Sequence, residues 1–265
     1  MTTFKAGGLD PQALIDAIPE LFAPAKVLRL VDARADCDPL AYWREAGETL
    51  GLSARLLEDS VTGQPIPADR SPLAGWMDVR FDPDRMDTYR HANVGQPLHT
   101  DGAYGGASQD IGLFYLQRQA SQGGESLLAD AADIARRAAA LDPDLRRRLF
   151  ETEVKFGKGR VGCALPILRE VEGRLKINWN WFRVLEDQGE AVAALREDFR
   201  LFLEDMVERD EAVVAIRLNA GDAVFFRDDE VLHGRRAYAA KVSGDRLLWK
   251  TYFISPAAQR AAVAA

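Results

Sequence analysis

Residues 212–254, AVVAIRLNAGDAVFFRDDEVLHGRRAYAAKVSGDRLLWKTYFI, decide the fold class of this chain. Three segments within them, 212–218, 223–226 and 247–254, are rich in β-branched and aromatic residues, and Gly221 with Asp222 is typical of a turn. Short strands at such close spacing favour an antiparallel sheet over regular alternation of strands and helices. The C-terminal part of the chain therefore predicts a β-rich architecture.

The remainder of the chain adds further short strands and a few amphipathic helices. Strands are predicted at 25–31, 79–81, 88–91, 98–99, 111–116, 126–129, 161–168 and 174–179. Helices are predicted at 9–22, from Asp38-Pro39 to about Gly51, from Asp130 or Asp133 to Ala140, from Asp142-Pro143 to Phe150, and at 189–208. The expected fold class is mainly β with helical insertions (α+β), an antiparallel barrel or sandwich in a single domain covering 1–265.

Charge and hydropathy narrow the class of function. The 265 residues contain 34 Lys and Arg against 41 Asp and Glu, a net charge of −7, which argues against binding of nucleic acid. No stretch reaches the length of a membrane span, and the first residues lack the apolar core of a signal peptide. Cys37 and Cys163 lack the spacing of zinc or redox motifs. These features predict a cytoplasmic protein that acts on a small molecule, with a homo-oligomer left open.

Histidine is scarce, so any imidazole-based site must use His91, His99 or His233. In His99-Thr100-Asp101 the imidazole and the carboxylate are two residues apart, which on a strand places both on one face. The triplet alone is weak evidence, and a third ligand would have to be His233 or His91. Two histidines and one carboxylate leave three of six octahedral positions open, as non-heme Fe(II) oxygenases require. Zinc would more often be held by three histidines, or by histidine with cysteine.

Four motifs in order along most of the chain resemble the Fe(II)/2-oxoglutarate dioxygenases related to taurine dioxygenase and clavaminate synthase. His99-Thr-Asp101-Gly is similar to the metal motif of that family, and Gln122-Gly-Gly-Glu-Ser-Leu-Leu-Ala-Asp130 to its Gly-Gly-acidic-Thr segment. His233, followed thirteen residues later by Arg246, resembles the closing histidine and the 2-oxoglutarate arginine. The predicted helix that ends at Leu50-Gly51 is also similar to the family, in which a helix at this place ends in Leu-Gly. The resemblance implies a double-stranded β-helix (jelly-roll) that uses Fe(II), 2-oxoglutarate and O2.

The resemblance also implies roles for individual residues. His99, Asp101 and His233 would be the metal ligands, and Arg246 would pair with the distal carboxylate of 2-oxoglutarate, which the planar guanidinium suits. Ser126 stands where the family usually has threonine and keeps a hydroxyl that could donate to a 2-oxoglutarate carboxylate, although an ordinary strand serine is the alternative. Lys250 stands where many members have arginine and is a second candidate for a cosubstrate or substrate contact. His91 matches no motif.

The expected reaction is hydroxylation of a substrate C–H bond, coupled to conversion of 2-oxoglutarate into succinate and CO2. Related members that halogenate have a small residue in place of Asp101, so its presence favours oxygen transfer. Desaturation, cyclisation or C–X cleavage remain alternatives, as do a metal hydrolase or isomerase and a metal-free binding module on the same fold. Amides and aromatic rings in residues 178–182, NWNWF, suit a small polar substrate such as an amino acid or another carboxylate. Trp179 and Trp181 are equally well explained as core or edge residues.

Overall fold

The computed structural model describes residues 1–33, 38–55, 75–105 and 111–254; Cys37 lies outside these ranges. Their five α-helices are α1 (Pro11–Phe22), α2 (Pro39–Glu48), α3 (Ala131–Leu141), α4 (Pro143–Glu151) and α5 (Glu190–Glu208). Their fifteen strands are β1 (Thr2–Lys5), β2 (Val27–Val31), β3 (Ser53–Ala54), β4 (Met77–Arg80), β5 (Gln96–His99), β6 (Ile111–Arg118), β7 (Ser126–Asp130), β8 (Glu153–Lys158), β9 (Val161–Pro166), β10 (Leu168–Val171), β11 (Arg174–Ile177), β12 (Val214–Ile216), β13 (Ala223–Arg227), β14 (Val231–Arg235) and β15 (Leu247–Ile254).

Two main sheets form the architecture. The larger has the order β1-β2-β13-β6-β15-β3, with β4 also paired to β15, and the smaller has the order β12-β7-β14-β5. All of these pairs are antiparallel except β1 with β2. Two hairpins, β8 with β9 and β10 with β11, stand outside them. The predicted jelly-roll with helical insertions is confirmed.

The inner faces of the two sheets form a hydrophobic core. Phe114 and Phe226 from the larger sheet belong to the same buried cluster as Leu128 and Val231 from the smaller one. The alternation of side chains along each strand sends these residues to one face and leaves the other face of each sheet for the helices. The inner faces of β7 and β14 are therefore the surfaces on which functional side chains can meet.

The helices bury the outer faces of the sheets. Helices α1 and α2 pack on the larger sheet, where Phe22 and Trp43 each lie 6.1 Å from the ring of Phe225. Helices α3, α4 and α5 share a second large cluster that includes Leu127 and Leu232 of the smaller sheet. Burial of these apolar faces, at about 25 cal/mol per Å², holds both sheets in place.

Four helices begin at the predicted aspartates. The carboxylates of Asp10, Asp38, Asp130 and Asp142 each accept a hydrogen bond from a backbone N–H in the first turn, at 2.7–3.0 Å for Gln12, Leu40, Ala132 and Leu145. Each bond satisfies a donor that has no partner within the helix. Of the two residues predicted as the N-cap of α3, Asp130 and Asp133, the structure has Asp130 in that position.

The predicted strand pattern is wrong at residues 88–91 and leaves out β1, β3, β8 and β14. Residues 88–91 form a turn, closed by hydrogen bonds from the N–H groups of His91 and Ala92 to the Thr88 carbonyl. Strand β14, which contains His233, was not predicted.

No described helix is long and apolar enough to cross a membrane.

Candidate metal centre

His99 and His233 lie side by side on neighbouring strands. They are register partners in the antiparallel pair of β5 and β14, and their ring centroids are 4.3 Å apart. Directly opposed residues in an antiparallel pair project from the same face. In His99 the Nδ1 atom lies 2.9 Å from the Pro97 carbonyl, and in His233 the Nδ1 atom lies 3.2 Å from Oδ1 of Asp228. The ring of His99 is thus fixed through Nδ1, whereas Nδ1 of His233 faces the Asp228 carboxylate without forming a hydrogen bond. Both Nε2 atoms turn toward Asp101, as a shared metal would require, and Nε2 of His99 also lies 3.2 Å from the Gln96 amide nitrogen.

Asp101 reaches the two histidines from a turn and not from a strand. Strand β5 ends at His99, so the predicted alternation of His99 and Asp101 on one strand face is wrong. The turn is held by the N–H of Asp101, which donates to Oδ2 of Asp228, and by the N–H of Thr100, which donates to the Trp179 carbonyl at 2.6 Å. The turn nevertheless brings the carboxylate to 3.3 Å from Nε2 of His99 and 3.8 Å from Nε2 of His233.

The three side chains fit a divalent metal. One ligand atom from each of His99, Asp101 and His233 lies within 4.8 Å of the others. The rings of Phe114 and Phe226 lie 5.4 and 5.1 Å from the ring of His233 and shield it from water. Burial lowers the pKa of His233 to about 4, so the imidazole is neutral near pH 7 and can donate an electron pair. Two imidazoles and a carboxylate on one side of the ion form the facial set of non-heme Fe(II) sites.

Asp101 is held in its charged form by the groups around it. Burial by itself raises the pKa of this carboxyl, but the Lys250 ammonium and the hydrogen bond with His99 are the main causes that outweigh burial and keep the pKa well below its usual range. Its Oδ2 accepts hydrogen bonds from Lys250 Nζ and Tyr252 Oη, both at 2.5 Å. A metal ion would meet an ionised carboxylate already oriented by two donors.

Asp228 is the residue that the sequence analysis missed. It is buried, contacts His233, and accepts hydrogen bonds from the N–H groups of Asp101 and Gly102. Burial and the neighbouring Asp101 carboxylate raise its pKa to about 7. One side chain thus positions two of the three candidate ligands. The signal that could have found it is the acidic run Asp228-Asp229-Glu230 just before β14.

Asp228→Asn is expected to lower the affinity for Fe(II) by about 10- to 100-fold, the usual cost of losing an outer partner of a metal-bound histidine. The amide keeps the shape but replaces one acceptor oxygen with a donor facing His233. An anaerobic calorimetric titration with Fe(II) measures the effect. Asp229→Asn is the matched control because Asp229 pairs with Lys176 instead. Equal affinities in the two variants would contradict the positioning role.

Arg246 is a buried cation with few partners. Its side chain is 1% exposed, and its one hydrogen bond to a described residue, the Gly124 carbonyl, is long at 3.5 Å. Within the described residues Nε and Nη1 have no hydrogen-bond partner. Burial, with the charge of Arg235, lowers its pKa to about 10, so it is still charged near pH 7. A buried, unsatisfied guanidinium fits the carboxylate of a bound acid.

Ser126, Lys250 and His91 have different surroundings. Ser126 is buried on β7 opposite Arg235, two residues from Leu128, which pairs with His233, so it shares the inner face with the histidine. Lys250 contacts Asp101, as described above. His91 is buried away from the triad, and neither of its ring nitrogens has a hydrogen-bond partner among the described residues. Of the two histidines considered as a third ligand, the structure brings His233 to the site.

The aromatic segment at residues 178–182 contributes less to the site than its composition suggested. Trp179 is buried against Phe199 at 4.8 Å, in the core. Trp181 packs under the guanidinium of Arg196 at 3.8 Å. Asn180 alone of the five lines a cavity of about 240 Å³ that opens beside Asp101.

The family model of the taurine catabolism dioxygenase TauD, TfdA family, matches residues 46–252. The chain belongs to this family, which confirms the resemblance drawn from its motifs. It is a dioxygenase that depends on Fe(II) and 2-oxoglutarate and uses O2 as cosubstrate. No curated protein matches the sequence significantly.

Solved structures share the fold at low sequence identity. An asparagine oxygenase in complex with Fe(II), (2S,3S)-3-hydroxyasparagine and succinate is 14% identical, with a TM-score of 0.66 over 92% of this chain and 79% of that chain. PvcB from Pseudomonas aeruginosa is 17% identical, with a TM-score of 0.64 over 96% and 85%. The non-heme iron oxygenase OrfP, in complex with Fe, succinate and (3S)-hydroxy-L-Arg, is 12% identical, with a TM-score of 0.64 over 92% and 81%. These likenesses establish the jelly-roll for the chain.

Proposed function

We propose that His99, Asp101 and His233 hold the Fe(II), that Arg246 binds the distal carboxylate of 2-oxoglutarate, and that the enzyme hydroxylates a C–H bond of a small polar acid such as an amino acid. The observation that carries the proposal is the meeting of two buried imidazoles and one ionised carboxylate within 4.8 Å. Two of the similar structures contain a hydroxylated amino acid, which supports this substrate class.

Bound Fe(II) with 2-oxoglutarate supplies the oxidising power: one atom of O2 goes to succinate and the other to the substrate. The residues of the chain bind the cosubstrate and orient the metal ligands. Pro97 fixes the ring of His99, Asp228 lies 3.2 Å from Nδ1 of His233, and Lys250 and Tyr252 fix the carboxylate of Asp101. The aromatic rings of Phe114 and Phe226 exclude water behind His233.

Arg246 and Ser126 complete the proposed cosubstrate site. Arg246 has two nitrogens, Nε and Nη1, without a hydrogen-bond partner among the described residues, and a carboxylate would form its two parallel hydrogen bonds with one of them together with Nη2, whose bond to Gly124 is long. Ser126 would add a hydroxyl donor from the inner face of β7. We assign Lys250 to the metal-facing side of the cavity, since its ammonium already contacts Asp101, and this makes it a weaker candidate for the distal carboxylate.

The domain organisation and the cellular location are part of the proposal. We treat residues 1–265 as one catalytic domain, because the helical insertions pack on the two sheets that hold the site. The cytoplasm is the proposed location, and the oligomeric state stays open.

Turnover with isotopically labelled O2 tests the function. A panel of amino acids and other small carboxylates is incubated with enzyme, Fe(II) and 2-oxoglutarate, and succinate and product are measured by mass spectrometry. We expect at least one member to accelerate succinate formation and to gain one labelled oxygen atom, with one label in succinate. Products that form without 2-oxoglutarate, or that carry no label, would contradict the proposal.

A further inference from the structure

A second arginine, Arg235, shares the interior between the two sheets with the metal centre. Strand β14 pairs with β7 in unbroken register, so its side chains alternate between the two faces of the smaller sheet. Val231 belongs to the inner cluster and Leu232 to the cluster beneath the helices, which places His233 and Arg235 on the inner face. Two residues along a strand span about 7 Å. The five-carbon chain of 2-oxoglutarate can cover this distance from the metal centre.

Arg235 and Arg246 meet at one aromatic ring. The guanidinium carbon of Arg235 is 4.9 Å from the centroid of the Tyr238 ring, and that of Arg246 is 5.4 Å from it. Arg235 comes from the smaller sheet, directly opposite Ser126, whereas Arg246 immediately precedes β15 of the larger sheet. Each sheet thus contributes one guanidinium to the same part of the interior, beside the serine that we propose as a cosubstrate donor.

Neither of these two guanidinium groups is neutralised by an acid among the described residues. Arg235 is 4% exposed and Arg246 is 1% exposed, and neither forms an ion pair there. Burial lowers the pKa of both arginines, and no described carboxylate opposes this effect. Arg217, whose charge also lowers the pKa of Arg246, has its own partner in Glu125. Two buried like charges without a counter-ion are costly, so an anion bound between them would stabilise this part of the interior.

The hydrogen-bond donors of Arg235 are only partly used. Its Nη2 donates to the carbonyls of Tyr89, Ala92 and Val94, at 2.9–3.3 Å, and so anchors the segment that precedes β5. Its Nε and Nη1 have no hydrogen-bond partner among the described residues. Anchoring of residues 89–94 therefore accounts for one nitrogen and leaves two buried donor nitrogens for another acceptor. A carboxylate has about four acceptor positions on its two oxygens, so it can accept from two guanidinium groups at once.

We propose that Arg235 is a second cosubstrate residue, whose guanidinium binds the distal carboxylate of 2-oxoglutarate together with Arg246. The inference rests on the proposed function and deepens it, because it adds a residue to the site where Arg246 and Ser126 bind that carboxylate. Of the two carboxylates of the cosubstrate, one goes to the metal and the other lies between two guanidinium groups that have no acid of their own. The preference for a keto acid with a distal carboxylate should therefore depend on both arginines.

Binding of two keto acids tests this role without turnover. 2-Oxoglutarate and 2-oxopentanoate both present a carboxylate and a keto oxygen to the metal, but only 2-oxoglutarate has the distal carboxylate. Each is titrated anaerobically into the protein with Fe(II), and the visible absorption of the chelate gives its affinity. We expect Arg235→Gln to weaken binding of 2-oxoglutarate about tenfold or more and to leave binding of 2-oxopentanoate within about twofold. A role of Arg235 only as the anchor of residues 89–94 would weaken both keto acids equally.

Arg236→Gln is the matched control, because the Arg236 side chain is 38% exposed and pairs with Asp210, so this variant should keep the full preference. Arg235→Lys keeps the charge and a donor for the carbonyls, and it carries the test if thermal unfolding shows that Arg235→Gln does not fold. We expect it to lose part of the preference, because an ammonium lacks the planar set of donors. An unchanged ratio of the two affinities in the folded Arg235 variants, with the preference lost in Arg246→Met, would overturn the inference alone. No preference for 2-oxoglutarate in the wild type would overturn the proposed cosubstrate site, and the inference with it.

Discussion

Asp101→Gly is expected to abolish hydroxylation coupled to 2-oxoglutarate. The substitution removes one of three candidate ligands and leaves the Lys250 ammonium, which now contacts Asp101 at 2.5 Å, facing the metal without its carboxylate. The loss should exceed the roughly 100-fold limit that is usual for an outer-shell partner. Succinate and hydroxylated product, measured at saturating Fe(II) and 2-oxoglutarate, give the result.

Asp84→Gly is the matched control, because Asp84 is an exposed turn aspartate away from the triad. Thermal unfolding of both variants distinguishes loss of the site from loss of the fold. Full coupled activity in folded Asp101→Gly would show that the carboxylate is not a ligand.

Arg246→Met is expected to raise the KM for 2-oxoglutarate by roughly 10- to 150-fold, since hydrogen bonds to a charged group contribute about 1.5–3 kcal/mol. Arg246→Lys should recover only part of the loss, because the ammonium keeps the charge but not the planar pair of donors. Steady-state kinetics with varied 2-oxoglutarate measures both variants.

Arg246→Met should weaken binding of 2-oxoglutarate without destabilising the fold. Without 2-oxoglutarate, Arg246 is a buried cation whose Nε and Nη1 have no partner among the described residues, so methionine should not lower the thermal midpoint. Added 2-oxoglutarate with Mn(II) should raise the midpoint of the wild type and leave Arg246→Met nearly unchanged. Equal stabilisation of the two proteins would place the distal carboxylate elsewhere.

Local patterns in the sequence predicted much of this structure. The four capping aspartates were identified because each acts on the turn that follows it, and that turn is read from adjacent residues. His99 and Asp101 were identified by their spacing, although the structure joins them through a turn and not along a strand. The structure brings the two side chains together, but the strand geometry from which the pair was predicted is wrong.

Long-range contacts explain what the sequence could not predict. Asp228 acts on Asp101, 127 residues away, only because β14 pairs with β5. Strand β14 itself was missed because it is short and contains Gly234. A Cβ at Gly234 would lie 2.8 Å from the Gln96 carbonyl, so glycine permits the close approach to β5. The residues that line the cavity beside Asp101, among them Asn180 and Lys250, come from separate elements, and no spacing along the chain relates them.

The most direct test of the account is an anaerobic titration of metal-free protein with Fe(II) and 2-oxoglutarate, followed through the visible charge-transfer absorption of the chelate. His99→Ala removes a candidate ligand, and His91→Gln changes the buried histidine outside the triad. We predict an absorption band that requires both additions, appears in the wild type and in His91→Gln, and is lost in folded His99→Ala. No band in the folded wild type, or an undiminished band in His99→Ala, would contradict the assignment of the metal centre.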